Sequence, residues 1–287
     1  ILVVNDAATG YQLIDGHDLD AYRLRSFGVS NDPTVYSGTA SIVNNKLQIS
    51  GISTAGITTA YIGAINDGPI SGARNRIING DMRIDQRNNG AAVSVIDNGS
   101  WFAVDRFCVD GQLTDGVISF QQSTVAPAGF TNSCKMTVTT ADASIGATQT
   151  YIFRQKIEGN NISDLDWGSA TAKTVTLSFW IQCSLTGTFG GCLNNSANDR
   201  VYPFSYTINS ANTWEYKTIT IPGSTAGTWL KDNGIGVAVL LSLGTGSTYL
   251  TSTPNVWGTT IYHGVTGQTN LIGTLNATMY ITGVQFE

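Results

Sequence analysis

The side chains that most often carry out chemistry are here, but their spacing suggests little catalysis. The two histidines, His17 and His263, lie far apart in the chain, so neither a metal cluster nor a Ser-His-Asp set is suggested. The acids are dispersed, and no pair is arranged as a glycosidase needs, one on each side of a scissile bond. No glycine-rich phosphate cradle follows a strand and opens a helix. Catalytic residues, metal ligands and cofactors are all read as none.

Aromatic side chains in loops offer another chemistry, because their faces can stack on the apolar side of a sugar ring. Trp229, Tyr249, Trp257 and Tyr262 fall in long Gly/Thr-rich connections between residues 222 and 273. Asp232, Asn233, Asn255 and His263 are near them in sequence and could border such a platform. Taken singly, each aromatic reads as core or subunit interface; as a group they read as a glycan site. A second polar set, Asn79, Asp81, Asp105, Arg106, Arg154, Gln155 and Glu158, interrupts apolar strands. It admits ligand contact, but a buried carboxylate–guanidinium pair stapling the first strand to its neighbour is the preferred reading.

The elements that must position these groups are strands. Hydrophobic residues make up 41% and charged residues only 12%, while glycines number 32; Thr, Ser and Asn fill the remainder, which suits pleats and turns. Val175, Leu177, Phe179 and Ile181 alternate with Thr174, Thr176, Ser178 and Trp180. Ile235, Val237, Val239, Leu241 and Leu243 form another stripe, and Ala238 and Leu240 opposite them suggest burial on both faces. Further strands are expected at 117–121, 135–139, 151–156, 214–221 and 277–285. Turns are read at Asp110-Gly111, Glu158–Asn161, Pro222-Gly223 and Asp232–Gly234, with one helical turn over Asn161–Trp167. Two antiparallel sheets packed face to face, closest to a jelly roll, are predicted for residues 71–287.

Residues 1–70 differ, with short apolar stretches and a tandem repeat, Gly51-Ile-Ser-Thr-Ala then Gly56-Ile-Thr-Thr-Ala. Ala40–Ser50 reads as strand, Asn-Asn turn, strand. This segment is read as an extended β shaft wound with two other copies; a loose linker is the alternative. The net charge of −5 and the lack of a basic run argue against nucleic acid, and no apolar run approaches membrane insertion. The opening Ile-Leu-Val-Val-Asn has neither an initiator Met nor a secretion-signal pattern, so a piece of a longer or processed protein is expected. Cys108 and Cys134 read as buried thiols. Cys183 and Cys192 bracket what looks like a hairpin tip and are expected to face one another.

Arg76–Arg87 (Arg-Ile-Ile-Asn-Gly-Asp-Met-Arg-Ile-Asp-Gln-Arg), followed by Trp101-Phe-Ala-Val-Asp-Arg-Phe107, resembles the opening of a domain found at the ends of phage tail fibres. Phe153–Gly159, Leu165–Gly168, Val175–Trp180, Thr186–Gly191 and Ile281–Glu287 fit the same family in order. The Gly/Ile/Ser/Thr repeat is similar to shaft segments of marine, particularly cyanobacterial, phage fibres. The resemblance implies a jelly roll similar to carbohydrate-binding modules on a homotrimeric stalk, carried in the virion tail and assembled in the host cytoplasm. Its implied partners are other virion tail proteins and a host cell-surface polysaccharide, expected to be neutral because the chain is acidic. A purely structural adaptor or collar is the runner-up, and a glycan-degrading enzyme the third reading. Assembly in a reducing cytosol implies that Cys183 and Cys192 stay unbonded. The family's structural Ca²⁺ is not expected, because Thr282-Gly283 replaces the acidic pattern on the last strand.

Overall fold

A computed structural model describes residues 74–96, 98–112 and 115–287 in full, and before them the backbone of six short strands. The chain divides into two units, Ile1–Ser71 and Gly72–Glu287. In the first unit β1 (Leu2–Val4) pairs with β2 (Tyr11–Leu13), β3 (Thr39–Val43) with β4 (Lys46–Ser50), and β5 (Ala64–Ile65) with β6 (Gly68–Pro69), all antiparallel. The two strands read in Ala40–Ser50 match β3 and β4, and the Asn44-Asn45 turn read between them lies outside the described residues. His17 and the repeat Gly51–Ala60 lie outside the described residues.

The second unit is an all-β sandwich of two six-stranded antiparallel sheets. Its strands are β7 (Val93–Val95), β8 (Gly99–Trp101), β9 (Phe107–Gln112), β10 (Val117–Ser123), β11 (Ser133–Thr140), β12 (Thr150–Glu158) and β13 (Val175–Cys183). They continue with β14 (Gly187–Asn194), β15 (Val201–Ile208), β16 (Glu215–Ile221), β17 (Ile235–Thr245) and, after the short parallel pair β18 (Leu250–Thr251) and β19 (Gly264–Val265), β20 (Thr278–Phe286). The front sheet runs β16-β13-β20-β11-β10-β7, and the back sheet β15-β14-β17-β12-β9-β8.

Period-two alternation sets what lies between the sheets. Val175, Leu177, Phe179 and Ile181 of β13 face Val237, Val239, Leu241 and Leu243 of β17 across one core, all 6% exposed or less. The other face of the back sheet has its own small apolar cluster: Ile152, Cys192, Val201, Ala238 and Leu240. That second cluster is why β17 is apolar on both sides.

Three turn readings need correction. Asp110-Gly111 lies inside β9, and Ser184–Gly191 is not a hairpin tip, because β13 belongs to the front sheet and β14 to the back. Cys183 is therefore in the main core, and Cys192 in the outer cluster, opposite Leu240 of β17 and Pro203 of β15. Glycine misled here because it also marks close approach: a Cβ on Gly191 would lie 2.4 Å from the Leu240 carbonyl oxygen. All four cysteines are buried free thiols, and burial raises the pKa of each, Cys183 to about 11. The expected helical turn is a pair of 3₁₀ turns, Gly159–Asn161 and Ser163–Leu165.

Candidate functional site

On β12 the residues Thr150, Ile152, Arg154, Lys156 and Glu158 point away from the core, while Tyr151, Phe153 and Ile157 are buried within it. The outward row is the spine of an open groove on the back sheet. Its wider part, about 680 Å³, has Ile152 and Leu240 in its floor. One wall is Ser100 of β8 with Asp110 and Gln112 of β9; the others include Asn194 and Asn198, and Tyr249, Ile261 and His263 from the connection after β17. That connection folds onto the sheet through β19, which meets β14 at Gly190, and through Gly258, which bridges to Val201.

Arg154 is the central charge. Its Nη2 lies 2.5 Å from Asp110 Oδ2 and 3.4 Å from Ser100 Oγ. Both side chains of the ion pair are mostly buried. The Tyr249 and His263 rings stack, centroids 5.1 Å apart, and the His263 N–H of the backbone donates to the Tyr249 carbonyl. Burial, helped by the Arg154 charge, lowers the His263 pKa to about 4, so the ring is neutral at pH 7. Three buried polar atoms of groove-lining residues have no hydrogen-bond partner among the described residues: Arg154 Nε, Asn194 Oδ1 and His263 Nδ1. They lie beneath the groove surface, so what a ligand would meet directly is the apolar floor and the exposed polar groups of the walls.

The sequence-predicted platform is divided. Tyr249 and His263 line the groove. Tyr262, between the lining residues Ile261 and His263, is half-buried and does not line it. Trp229 must be corrected to core: it is 6% exposed, and its Nε1–H donates to the Ala226 carbonyl. Trp257 is half-buried against Trp167, Trp229 and Tyr202, and its Nε1–H donates to the Pro222 carbonyl. Tryptophan's large apolar area drew both rings inward. Asp232 and Asn233 precede β17 whereas Tyr249 follows it, so the eleven residues of β17, roughly 35 Å of strand, separate them. Asp232 Oδ1 accepts from Gly234 N–H in a tight turn, and the exposed Asn255 has φ 67° and donates its backbone N–H to Pro203.

The second polar set is also redistributed. Arg106 pairs with Glu158 at 2.6 Å, both about one-third exposed, and not with Asp81 or Asp105. Burial is the largest single influence on Glu158 and opposes its ionisation, but the Arg106 hydrogen bond and charge, a backbone hydrogen bond and the Asn161 amide together outweigh it and lower the pKa. Asp81 makes a surface contact with Arg83 at 3.8 Å, and Asp105 Oδ1 accepts from Gln86 N–H. Asn79, at φ 60°, donates to the Ile84 and Asp105 carbonyls and so ties the opening loop to the β8–β9 turn. Gln155, 1% exposed, accepts from Ile78 N–H and donates to Ile78 C=O, as a neighbouring strand would. The mostly buried carboxylate–guanidinium pair is Arg154–Asp110.

Sequence reading missed Asp110, Gln112, Asn194, Asn198 and Ser100. For Ser100, Asp110, Gln112 and Asn194 the only signal was outward position on alternating strands, with Asp110 hidden by the turn reading, and Asn198 lies in the connection between β14 and β15. Among the described residues no group of three or more His, Cys, Asp or Glu side chains could hold a metal ion.

The fold and groove together define an antiparallel β-sandwich with an open, polar-walled cleft on one sheet. No protein-family model matches the chain, and no curated protein matches it. Similar solved structures include the tailspike protein 4 enzymatically active domain of Bacteriophage CBA120, at 12% identity and TM-score 0.36, over 74% of this chain and 21% of that one. They also include TmCBM61 in complex with beta-1,4-galactotriose, at 7% identity and TM-score 0.32, over 64% and 88% of the two chains. A third is the family 11 carbohydrate-binding module from Clostridium thermocellum in complex with a beta-1,3-1,4-mixed-linked tetrasaccharide, at 12% identity and TM-score 0.33, over 68% and 94%. The chain thus spans about a fifth of the length of the tailspike domain.

Proposed function

We propose that this sandwich binds a saccharide in the back-sheet groove, and that it does so at the distal end of a phage tail fibre, against a host surface glycan. The observation that carries the binding reading is one concavity that joins an apolar floor of Ile152 and Leu240 to a Tyr249–His263 ring stack and to polar walls from Ser100, Gln112, Asn194 and Asn198. A sugar ring has that composition: hydroxyls around its rim, apolar C–H faces, and no obligatory charge. The carboxylates along the groove favour binding over hydrolysis. Asp110 sits opposite Ile152, and Glu158 is six residues further along β12, about 20 Å by strand rise. Glycosidase pairs stand within about 10 Å.

Tyr249→Ala tests the reading. The ring is half-buried at the surface, so the variant should melt within a few degrees of the parent while losing about tenfold or more in oligosaccharide affinity. Unchanged affinity on a folded variant would sink the groove as a sugar site.

The fibre reading rests on the sequence resemblance and on the first unit, whose described strands pair only as two-stranded ribbons. Such ribbons are marginal alone and gain stability by associating. A parallel homotrimer is therefore expected, and light scattering that gives a folded 30.4 kDa monomer would contradict it. A structural adaptor or collar has one observation in its favour: Trp180 and the exposed Tyr216 lie ring to ring, centroids 5.3 Å apart, on the outer face of the front sheet.

A further inference from the structure

The groove does not end at Arg154. Ser100 and Arg154 also line a second cleft of about 260 Å³ that continues along β12 past Lys156 to Glu158. Arg87, Arg106 and Cys108 form its other sides, with Phe102 beneath Arg87. Four cations therefore gather on a chain whose net charge is −5. Glu158 neutralises Arg106 and Asp110 neutralises Arg154. Arg87 and Lys156 are left: both are exposed, and among the described residues neither has a carboxylate partner. Arg87 is held over the Phe102 ring at 5.2 Å, which positions its guanidinium without neutralising it.

Resting on the saccharide reading above, we propose that this second cleft is a subsite for an anionic substituent, a carboxylate, sulfate or phosphate, on the bound glycan. The ligand is then an acidic polysaccharide, contrary to the neutral one that net charge alone suggested. Net charge describes the far field, which salt screens over about 10 Å. The contact is decided by local groups, and here the unpaired ones are positive. Guanidinium forks suit planar or tetrahedral oxyanions, and Lys156 adds a mobile point charge. Arg154, shared by both clefts, aligns the sugar ring in the first with its substituent in the second.

The test uses the full chain on an array of immobilised oligosaccharides, each neutral backbone beside its carboxylated, sulfated and phosphorylated counterparts. The parent protein should prefer an anionic counterpart over its neutral backbone by about tenfold or more. The double variant Arg87→Ala/Lys156→Ala should lose that preference while keeping its affinity for the neutral member. Both side chains are exposed, so its melting temperature should match the parent's. Equal binding of neutral and anionic members, still sensitive to Tyr249→Ala, would overturn the anionic subsite and leave the groove standing. A preference that survives in the double variant would also overturn it, since the selecting charge would lie elsewhere. Binding to no member would overturn both readings.

Discussion

Replacing Trp167 by alanine is expected to destabilise the sandwich by about 3–5 kcal/mol, a larger loss than any expected from a substitution in the groove. Trp167 is 3% exposed and sits just after the 3₁₀ turn Ser163–Leu165. It meets Trp229, Trp257 and Phe286 edge-on, with centroids 4.7, 5.4 and 6.0 Å away. Its Nε1–H donates to the Lys173 carbonyl at 2.8 Å, which the variant would leave without that donor. Phe286 belongs to β20, Trp229 precedes β17, and Trp257 lies in the connection after it. One ring therefore joins the last strand to two long loops. A melting temperature lower by about 10 °C is expected at this domain size. Trp167→Phe should recover part of the loss. A shift of a degree or two in the alanine variant would mean that the tryptophan cluster does not hold these segments together.

The second large effect is expected at Arg154. Arg154→Ala leaves Asp110 mostly buried without its cation and removes the donor shared by both clefts. Saccharide affinity should fall about 10- to 100-fold, the range for hydrogen bonds to a charged group. Stability should fall by about 2 kcal/mol, less than for a fully buried pair because water still reaches both side chains. Arg154→Lys keeps the charge but not the fork, so it should recover most of the stability and little of the affinity. His263 supplies an independent readout. Burial and the Arg154 charge together hold its pKa at about 4, so removing the charge should raise the titration midpoint, followed by NMR of the imidazole. A midpoint that does not move upward, with unchanged affinity, would take Arg154 out of the site.

Strands whose two faces differ were legible in the sequence. Val175–Ile181 and Ile235–Leu243 alternate because one face of each lies in the core, and the apolar outer residues Ala238 and Leu240 correctly implied burial on the second face. Glycine was ambiguous. Asp110-Gly111 reads as a turn by composition, but β12 and β8 pair with β9 at that position and hold it extended. The site was less legible than the fold. Tyr249 and His263 stood out as loop aromatics, whereas Asp110, Arg154 and Asn194 become neighbours only through the sheet order β14-β17-β12-β9. No local pattern encodes that order. Tryptophan drew attention for its stacking area, and that same area draws Trp229 into the core.

The groove can be located directly by titrating the isotopically labelled full chain with the tightest-binding oligosaccharide of the array and following backbone amide shifts. Saturable shifts at Asp110, Ile152, Arg154, Leu240 and His263, with quiet amides around Trp180 and Tyr216, are the predicted result. Shifts confined to the Trp180–Tyr216 face of the front sheet, with the β9, β12 and β17 amides unmoved, would contradict the account.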